Sequence, residues 1–183
     1  REKLGLPLNK KIFLFVGRLV KAKGIDYFIG AMEQLADDCM AVLVGEGEQR
    51  QSLLKAIKAR SLEKKVIYVG RTSRVEDFYK ACDVFVMSST YEPLGQTLFE
   101  AAATGMRVVA FDKSTGVNTA THELNIDYLL DYAYTLDATG LALAMKQSLS
   151  SLASPRLAND IVAETANSWE RLWFELIDIP KST

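Results

Sequence analysis

The sequence predicts an α/β fold built on a doubly wound parallel sheet, because buried strand patterns alternate with helical patterns. Residues 12–16 and 40–44 are continuous apolar runs that each stop at a glycine, which is typical of strands buried on both faces. Residues 24–36, between them, carry apolar side chains at helical spacing. Strands that alternate with helices pair in parallel through right-handed crossovers, so helices should cover both faces of the sheet.

The remaining elements follow in order along the chain. Strands are predicted at 12–16, 40–44, 66–69, 84–87, 108–111 and, shorter, 128–130. Helices are predicted at 24–36, 48–60, 75–81, 94–103 and 137–151, and beyond Pro155 at about 156–165 and 168–178. In the second helix, Leu53, Leu54 and Ile57 should face the core. We expect one domain over residues 1–183, with C-terminal helices from about residue 155.

Composition excludes several classes of protein. The 183 residues are 49% hydrophobic, and 22 basic residues nearly balance 23 acidic ones, so no overall field should attract DNA or RNA. No apolar run approaches the length of a membrane span, and a signal-peptide pattern is lacking. Cys39 and Cys82 are expected to be buried thiols in a reducing, cytoplasmic setting. One histidine, His122, and two scattered cysteines do not form a recognisable metal site, so no metal is predicted.

The start of the chain indicates a piece of a longer protein. Residue 1 is Arg rather than Met, and a strand follows soon afterwards. We expect the missing part to lie upstream, although tag removal or processing would leave the same start. Trp169 and Trp173, at helical spacing, should pack the final helix or face that missing part.

Glycines and charged side chains are concentrated where the predicted strands end. These strand-end segments are residues 17–24, 45–48, 70–73, 88–96 and 112–116. In doubly wound sheets, ligands bind at the carboxyl ends of the strands, so the segments predict a common binding site. Glycine at several of them suggests that the backbone approaches a ligand closely.

Two carboxylates surround a predicted strand–loop–helix junction. Glu92 lies in the loop with Pro93 and Gly95, and Glu100 lies inside the following helix. The first N–H groups of a helix and its positive end favour an anion, while carboxylates suit hydroxyl groups. A sugar nucleotide carries both chemical groups. Alternatively, Glu92 is only an acid at a helix start, and Glu100 pairs with an arginine for structural reasons.

Arg18 and Lys23 are on the loop after the first strand, where both cations can converge on a diphosphate. A solvated basic loop is the alternative, since Lys21 is also present. The run from Gly45 to Glu48 superficially matches a dinucleotide-binding loop. However, its two glutamates would place negative charge against a pyrophosphate, so that interpretation is rejected.

Together these motifs resemble a known family. The chain is similar, from about residue 4 to 174, to the C-terminal, nucleotide-sugar-binding domain of retaining glycosyltransferases of the GT-B fold, in the large family 4. The motifs that carry the resemblance are Val16-Gly17-Arg18-Leu19, Lys23-Gly24, Val44-Gly45-Glu46-Gly47, Val69-Gly70-Arg71, Ala81-Cys82-Asp83-Val84-Phe85-Val86, Glu92-Pro93-Leu94-Gly95, Glu100-Ala101 and Ser168-Trp169-Glu170.

The resemblance implies a role for each site residue. Arg18 and Lys23 would neutralise the donor phosphates, and Glu92 would contact the transferred sugar near the reacting carbon. Glu100 would bind the ribose hydroxyls. Backbone groups of Gly95, Gln96 and Thr97 would meet the phosphates, Gly17 would allow close approach, and Gly70, Arg71 and Thr72 would lie against the nucleobase. Members commonly need no metal, so the implied ligand is a UDP- or GDP-linked sugar with no further cofactor.

The resemblance also implies partners and alternatives. The acceptor would bind largely to an N-terminal domain absent from this chain, and any membrane contact would come from that half. Leu94, Gln96 and the segment 114–119 depart from the usual family pattern, which bears on the choice of donor sugar. The first hypothesis is the donor half of a hexosyltransferase for surface polysaccharide or lipopolysaccharide, inactive by itself. The alternatives are a non-catalytic binding or assembly domain of the same fold, and an NAD-dependent oxidoreductase domain.

Overall fold

The computed structural model describes residues 1–92, 95–119, 121 and 129–151, and these form a six-stranded parallel sheet covered by helices on both faces. The strands, numbered in chain order, are β1 Lys11–Val16, β2 Cys39–Val44, β3 Val66–Gly70, β4 Val84–Met87, β5 Tyr91–Glu92, β6 Arg107–Phe111, β7 Asn118–Thr119 and β8 Leu130–Ala133. The α-helices are α1 Ile25–Glu33, α2 Arg50–Ala59, α3 Val75–Ala81, α4 Gln96–Ala103 and α5 Ala138–Ser151.

The main sheet has the strand order β3-β2-β1-β4-β6-β8, and every neighbouring pair is parallel. The chain therefore builds outward from β1 to β3 and then crosses to the other side of β1 with β4. The predicted fold class, a doubly wound and Rossmann-like α/β sheet, is confirmed.

Alternate side chains of the central strand β1 pack into two separate hydrophobic cores. Phe13 and Phe15 point into a cluster that includes buried residues of α1, α2 and α5. Ile12 and Leu14 point into a second cluster with residues of α3 and α4. Because side chains in a strand alternate between faces, a continuous apolar run such as β1 buries both of its faces, as the sequence predicted.

Three details of the predicted elements are wrong. Leu54 was expected in the core with Leu53 and Ile57, but it is 40% exposed, because consecutive residues of a helix cannot face the same side. The last strand covers Leu130–Ala133 rather than 128–130. The small parallel sheet of β5 and β7 was not predicted, since a two-residue strand leaves no periodic pattern.

Several predictions lie outside the described residues. These concern His122, the start of the 128–130 strand, and everything beyond residue 151, including the C-terminal helices, Trp169 and Trp173. They stay predictions.

Both cysteines should be unreactive in the folded protein. Cys39 and Cys82 are buried, and burial raises the pKa of the Cys39 thiol to about 11 and that of Cys82 to about 12. Only the thiolate is nucleophilic, so neither should react with a disulfide reagent at pH 8. We expect release of chromophore from Ellman's reagent only after addition of denaturant. Fast labelling of the native chain would contradict this burial.

Candidate functional site

The sheet order places a crevice between β1 and β4. These two strands are hydrogen-bonded neighbours, but the connections that follow them run to opposite faces of the sheet. The loops after such strands separate at their carboxyl ends and leave a crevice, which is where ligands bind in open α/β sheets. Here the segments that follow the two strands are residues 17–24, which contain Lys23, and residues 88–92, which contain Glu92.

Hydrogen bonds to backbone carbonyl oxygens hold the two loops together. The hydroxyl of Ser88 donates to the carbonyl oxygen of Lys23 at 2.9 Å, and the amide of Thr90 donates to that of Ala22 at 2.9 Å. Gly24 has a φ of +61°, and a Cβ there would lie 2.0 Å from the carbonyl oxygen of Ser88. Only glycine fits at this position without displacing the neighbouring loop.

Lys23 and Glu92 form an ion pair across the crevice. Their side chains are mostly buried, at 18% and 14% exposure. The second carboxylate oxygen of Glu92 accepts a hydrogen bond from the amide of Gly95 at 3.3 Å. Glu92 is therefore held by a cation on one side and by the beginning of α4 on the other. The sequence predicted that both residues belong to one site, and the structure brings them into contact.

Arg18 adds a second cation to this region. Burial, and then the positive charge of Arg18, lowers the pKa of the Lys23 ammonium from its ordinary value. A nearby anion with more than one charge would offset the repulsion between two cations in a partly desolvated loop. The arrangement of Arg18 and Lys23 is thus suited to a polyanion, while Arg18 itself is exposed and able to reach one.

The beginning of α4 supplies further anion-binding groups. Gly95, with a φ of +58°, directly precedes the helix, and Gln96 and Thr97 form its first turn. The first amides of a helix have no acceptor within the helix, and the helix dipole makes this end positive. The helix therefore directs N–H groups and partial positive charge toward the crevice.

A cleft of about 470 Å³ lies at the carboxyl ends of β1, β2 and β3. Its walls are Val16, Gly17, Arg18, Val44, Gly45, Glu46, Arg71, Thr72 and Val75. Lys23 lies near this cleft, since its Cδ is 3.9 Å from where a Cβ on Gly17, one of the lining residues, would be. Gly45 also contacts Gly17 closely: a Cβ on Gly45 would lie 1.9 Å from the Gly17 carbonyl oxygen. Four of the predicted site residues, Gly17, Arg18, Arg71 and Thr72, therefore line one apolar-walled space.

Glu100 lines a second cleft, of about 400 Å³, between α3 and α4. Val75 lines both clefts, so they adjoin. One carboxylate oxygen of Glu100 accepts a hydrogen bond from the Tyr79 hydroxyl at 2.9 Å, and the other lies 3.4 Å from the Gln96 amide nitrogen. Among the described residues, a tyrosine and a glutamine contact Glu100 and no arginine is paired with it, so the alternative of an arginine partner stays a prediction.

The profile of the family described as glycosyl transferases group 1 matches residues 1–149. The chain belongs to this glycosyltransferase family.

Two solved structures share the fold, and one curated relative illustrates the family likeness. Sucrose-phosphate synthase from Thermosynechococcus elongatus superposes with a TM-score of 0.80 at 26% identity, covering 96% of this chain and 46% of that one. HepE from Anabaena, in complex with UDP, gives a TM-score of 0.75 at 24% identity, covering 93% and 47%. The lipopolysaccharide core biosynthesis glycosyltransferase LpsE of Rhizobium meliloti is 33% identical over 147 residues, covering 80% and 42%. This glycosyltransferase chain thus spans less than half the length of each.

Two residues of the candidate site were missed in the sequence. Tyr79 is on α3, far from Glu100 in sequence, and its hydroxyl is the only sign of a polar role in an otherwise apolar helix face. Glu46 was placed in a rejected dinucleotide-like loop and in one of the family motifs, without a role of its own. In the structure the Glu46 carboxylate contributes, after burial, to raising the pKa of the Tyr68 hydroxyl, and one of its oxygens lies 3.1 Å from where a Cβ on Gly70 would be. Glu46 is therefore directed toward the end of β3 and the cleft.

The described part of the chain contains neither a candidate metal site nor a candidate membrane span. Among those residues, no three His, Cys, Asp or Glu side chains are grouped to hold a metal ion. Nor does any helix there have the length and apolarity needed to cross a membrane. Metal independence stays a prediction.

Proposed function

We propose that this chain is the donor-binding domain of a retaining glycosyltransferase and that it binds a UDP- or GDP-linked sugar without a metal ion. The observation that carries the proposal is the contact between Lys23 and Glu92 at the β1–β4 crevice, beside the first amides of α4. A diphosphate matches the two cations and the helix start, and a sugar hydroxyl matches the carboxylate.

In the proposed mechanism, positive groups stabilise the leaving diphosphate. Arg18 and Lys23 bind its oxygens, and the amides of Gln96 and Thr97 add hydrogen bonds, while the Gly95 amide is bonded to Glu92. As the bond to the sugar breaks, negative charge grows on the diphosphate, and preorganised donors stabilise that charge more than they stabilise the ground state. These groups would provide in one crevice what a divalent cation provides in other transferases.

The remaining residues bind the rest of the donor. Glu92 contacts the transferred sugar near its reacting carbon, where an oxocarbenium-like centre gains positive charge, and Glu100 binds the ribose hydroxyls. Gly70, Arg71 and Thr72 lie against the base at the far side of the larger cleft. The two clefts adjoin at Val75, so the spaces proposed for the base and for the ribose lie next to each other, as the two groups do in a nucleotide.

The proposed biological setting is synthesis of surface polysaccharide or lipopolysaccharide from a cytoplasmic donor. LpsE, at 33% identity, is described as a lipopolysaccharide core biosynthesis enzyme, which supports this setting. The acceptor would bind to a second, N-terminal domain, so transfer should require the whole protein. Without that domain, the chain should bind nucleotide and remain inactive.

Calorimetric titration with UDP, GDP and ADP tests the proposal directly. We expect UDP or GDP to bind, and Arg18→Ala to weaken that binding about tenfold or more through loss of a charged hydrogen-bond donor. Arg60→Ala is the matched control, since Arg60 is equally exposed but pairs with Glu33 beyond the end of α2. If the chain binds none of the three nucleotides, the proposal is contradicted and a purely structural domain is favoured.

A further inference from the structure

Tyr79 is the buried neighbour of the Glu100 carboxylate. It is only 4% exposed, and its ring packs on Phe85 of β4 with centroids 6.0 Å apart. The hydroxyl emerges from this packing at the wall of the smaller cleft, which Tyr79 and Glu100 line together. A side chain enclosed in this way has little rotational freedom, so its hydroxyl is a fixed point beside the cleft.

The hydroxyl makes two contacts with α4. It donates to Glu100 at 2.9 Å, and it lies 3.3 Å from the carbonyl oxygen of Thr97 in the first turn. A phenol has one proton to donate, and an ionised carboxylate is the stronger acceptor of the two. The bond to Glu100 should therefore dominate. Burial and the nearby Glu100 charge raise the pKa of Tyr79, so the donor keeps its proton throughout the physiological range.

The Tyr79 hydroxyl is important for the orientation of the Glu100 carboxylate, because the other contact of that carboxylate is weak. The Gln96 amide nitrogen lies 3.4 Å from the second carboxylate oxygen, and Gln96 is exposed. A glutamate has three rotatable side-chain bonds, and a bidentate grip on two vicinal hydroxyls requires one particular orientation of the carboxylate. Binding costs less when a ligand-binding group is already fixed in that orientation.

We propose that Tyr79 is a positioning residue that orients the Glu100 carboxylate for the ribose hydroxyls of the donor nucleotide. This inference rests on the proposed function, in which Glu100 contacts the ribose. In this role Tyr79 acts through Glu100 and not on the nucleotide. Its loss should therefore reduce selectively the part of the affinity that depends on ribose hydroxyls.

The test compares a nucleoside diphosphate with its 2′,3′-dideoxy analogue, using UDP or GDP, whichever binds the wild-type chain more tightly. We expect the wild type to prefer the ribonucleotide at least about tenfold and Tyr79→Phe to reduce that preference about fivefold. Glu100→Gln should reduce it as much, and Tyr79→Phe should add nothing in that background. Tyr132→Phe is the matched control: it removes the hydroxyl that lies 3.4 Å from the Thr121 carbonyl oxygen, on edge strand β8.

The outcomes separate this inference from the proposed function. If the wild type binds neither nucleotide, the proposed function is wrong and the inference with it. If the wild type binds but Tyr79→Phe keeps the full ribose preference, or weakens both ligands equally, only the inference is overturned. Replacing Tyr79 with 3-fluorotyrosine keeps the ring packed and strengthens the donor, so it tests the same bond if Tyr79→Phe fails to fold. An unchanged ribose preference in that variant would also overturn the inference.

Discussion

Replacing Lys23 with methionine should weaken nucleoside diphosphate binding on the order of 100-fold. A hydrogen bond to a charged group contributes about 1.5–3 kcal/mol, and the unpaired Glu92 charge would also repel the phosphates, so the loss approaches about 3 kcal/mol. Methionine keeps the apolar stem of the side chain and removes only the ammonium. Titration with UDP or GDP at fixed ionic strength measures the change.

Two controls make the Lys23→Met result specific. Lys21→Met removes an exposed cation from the same loop and should leave affinity within about twofold, because exposed charges are screened by solvent. The double variant Lys23→Met with Glu92→Gln should recover most of the thermal stability lost in the single variant, since no carboxylate is left unpaired. It should still bind nucleotide weakly. Wild-type affinity in Lys23→Met would contradict a role for this lysine.

Replacing Gly24 with alanine should destabilise the fold by more than about 3 kcal/mol. The positive φ alone costs an L-residue about 1–2 kcal/mol. The added Cβ would also lie 2.0 Å from the Ser88 carbonyl oxygen, which has no flexible end to move, so the loop after β4 must shift. That shift would disturb the hydrogen bond between Ser88 and Lys23. Urea denaturation measures the loss of free energy of unfolding.

Gly5→Ala separates the two contributions. Gly5 has nearly the same φ, +66°, and no atom lies within 4 Å of a Cβ built there. It should cost only the backbone term, about 1–2 kcal/mol. The excess in Gly24→Ala then measures the contact between the two loops. Equal destabilisation by both substitutions would show that the loops are not held against each other at Gly24.

Much of the architecture could be predicted from local patterns. Strands such as β1 and β2 are continuous apolar runs that end at glycine, and they need no long-range information to be recognised. The helix stripe of α1 is similar: its predicted apolar positions, Ile25, Phe28, Ile29 and Met32, are all buried. Leu54 shows the limit, because its neighbour Leu53 takes the inward position and leaves Leu54 at the surface.

The site was predictable only in part. Convergence of the loops after β1 and β4 follows from the general rule for doubly wound sheets, so Lys23 and Glu92 could be assigned to one crevice. Their direct contact could not be derived, since it depends on side-chain directions in two loops. Tyr79 has the same limitation: its ring satisfies the apolar pattern of α3, and nothing local shows that its hydroxyl reaches Glu100. The sequence resemblance adds roles to residues, and binding measurements must test those roles.

The neighbouring positions of β1 and β4 also constrain how the protein matures during synthesis. Arg18 and Lys23 leave the ribosome before β2 and β3, whereas Glu92 and α4 emerge only later. A nascent chain that has completed the first three strands therefore exposes both cations without their carboxylate partner. The crevice forms only when β4 docks alongside β1, so a translation product truncated before that point lacks it.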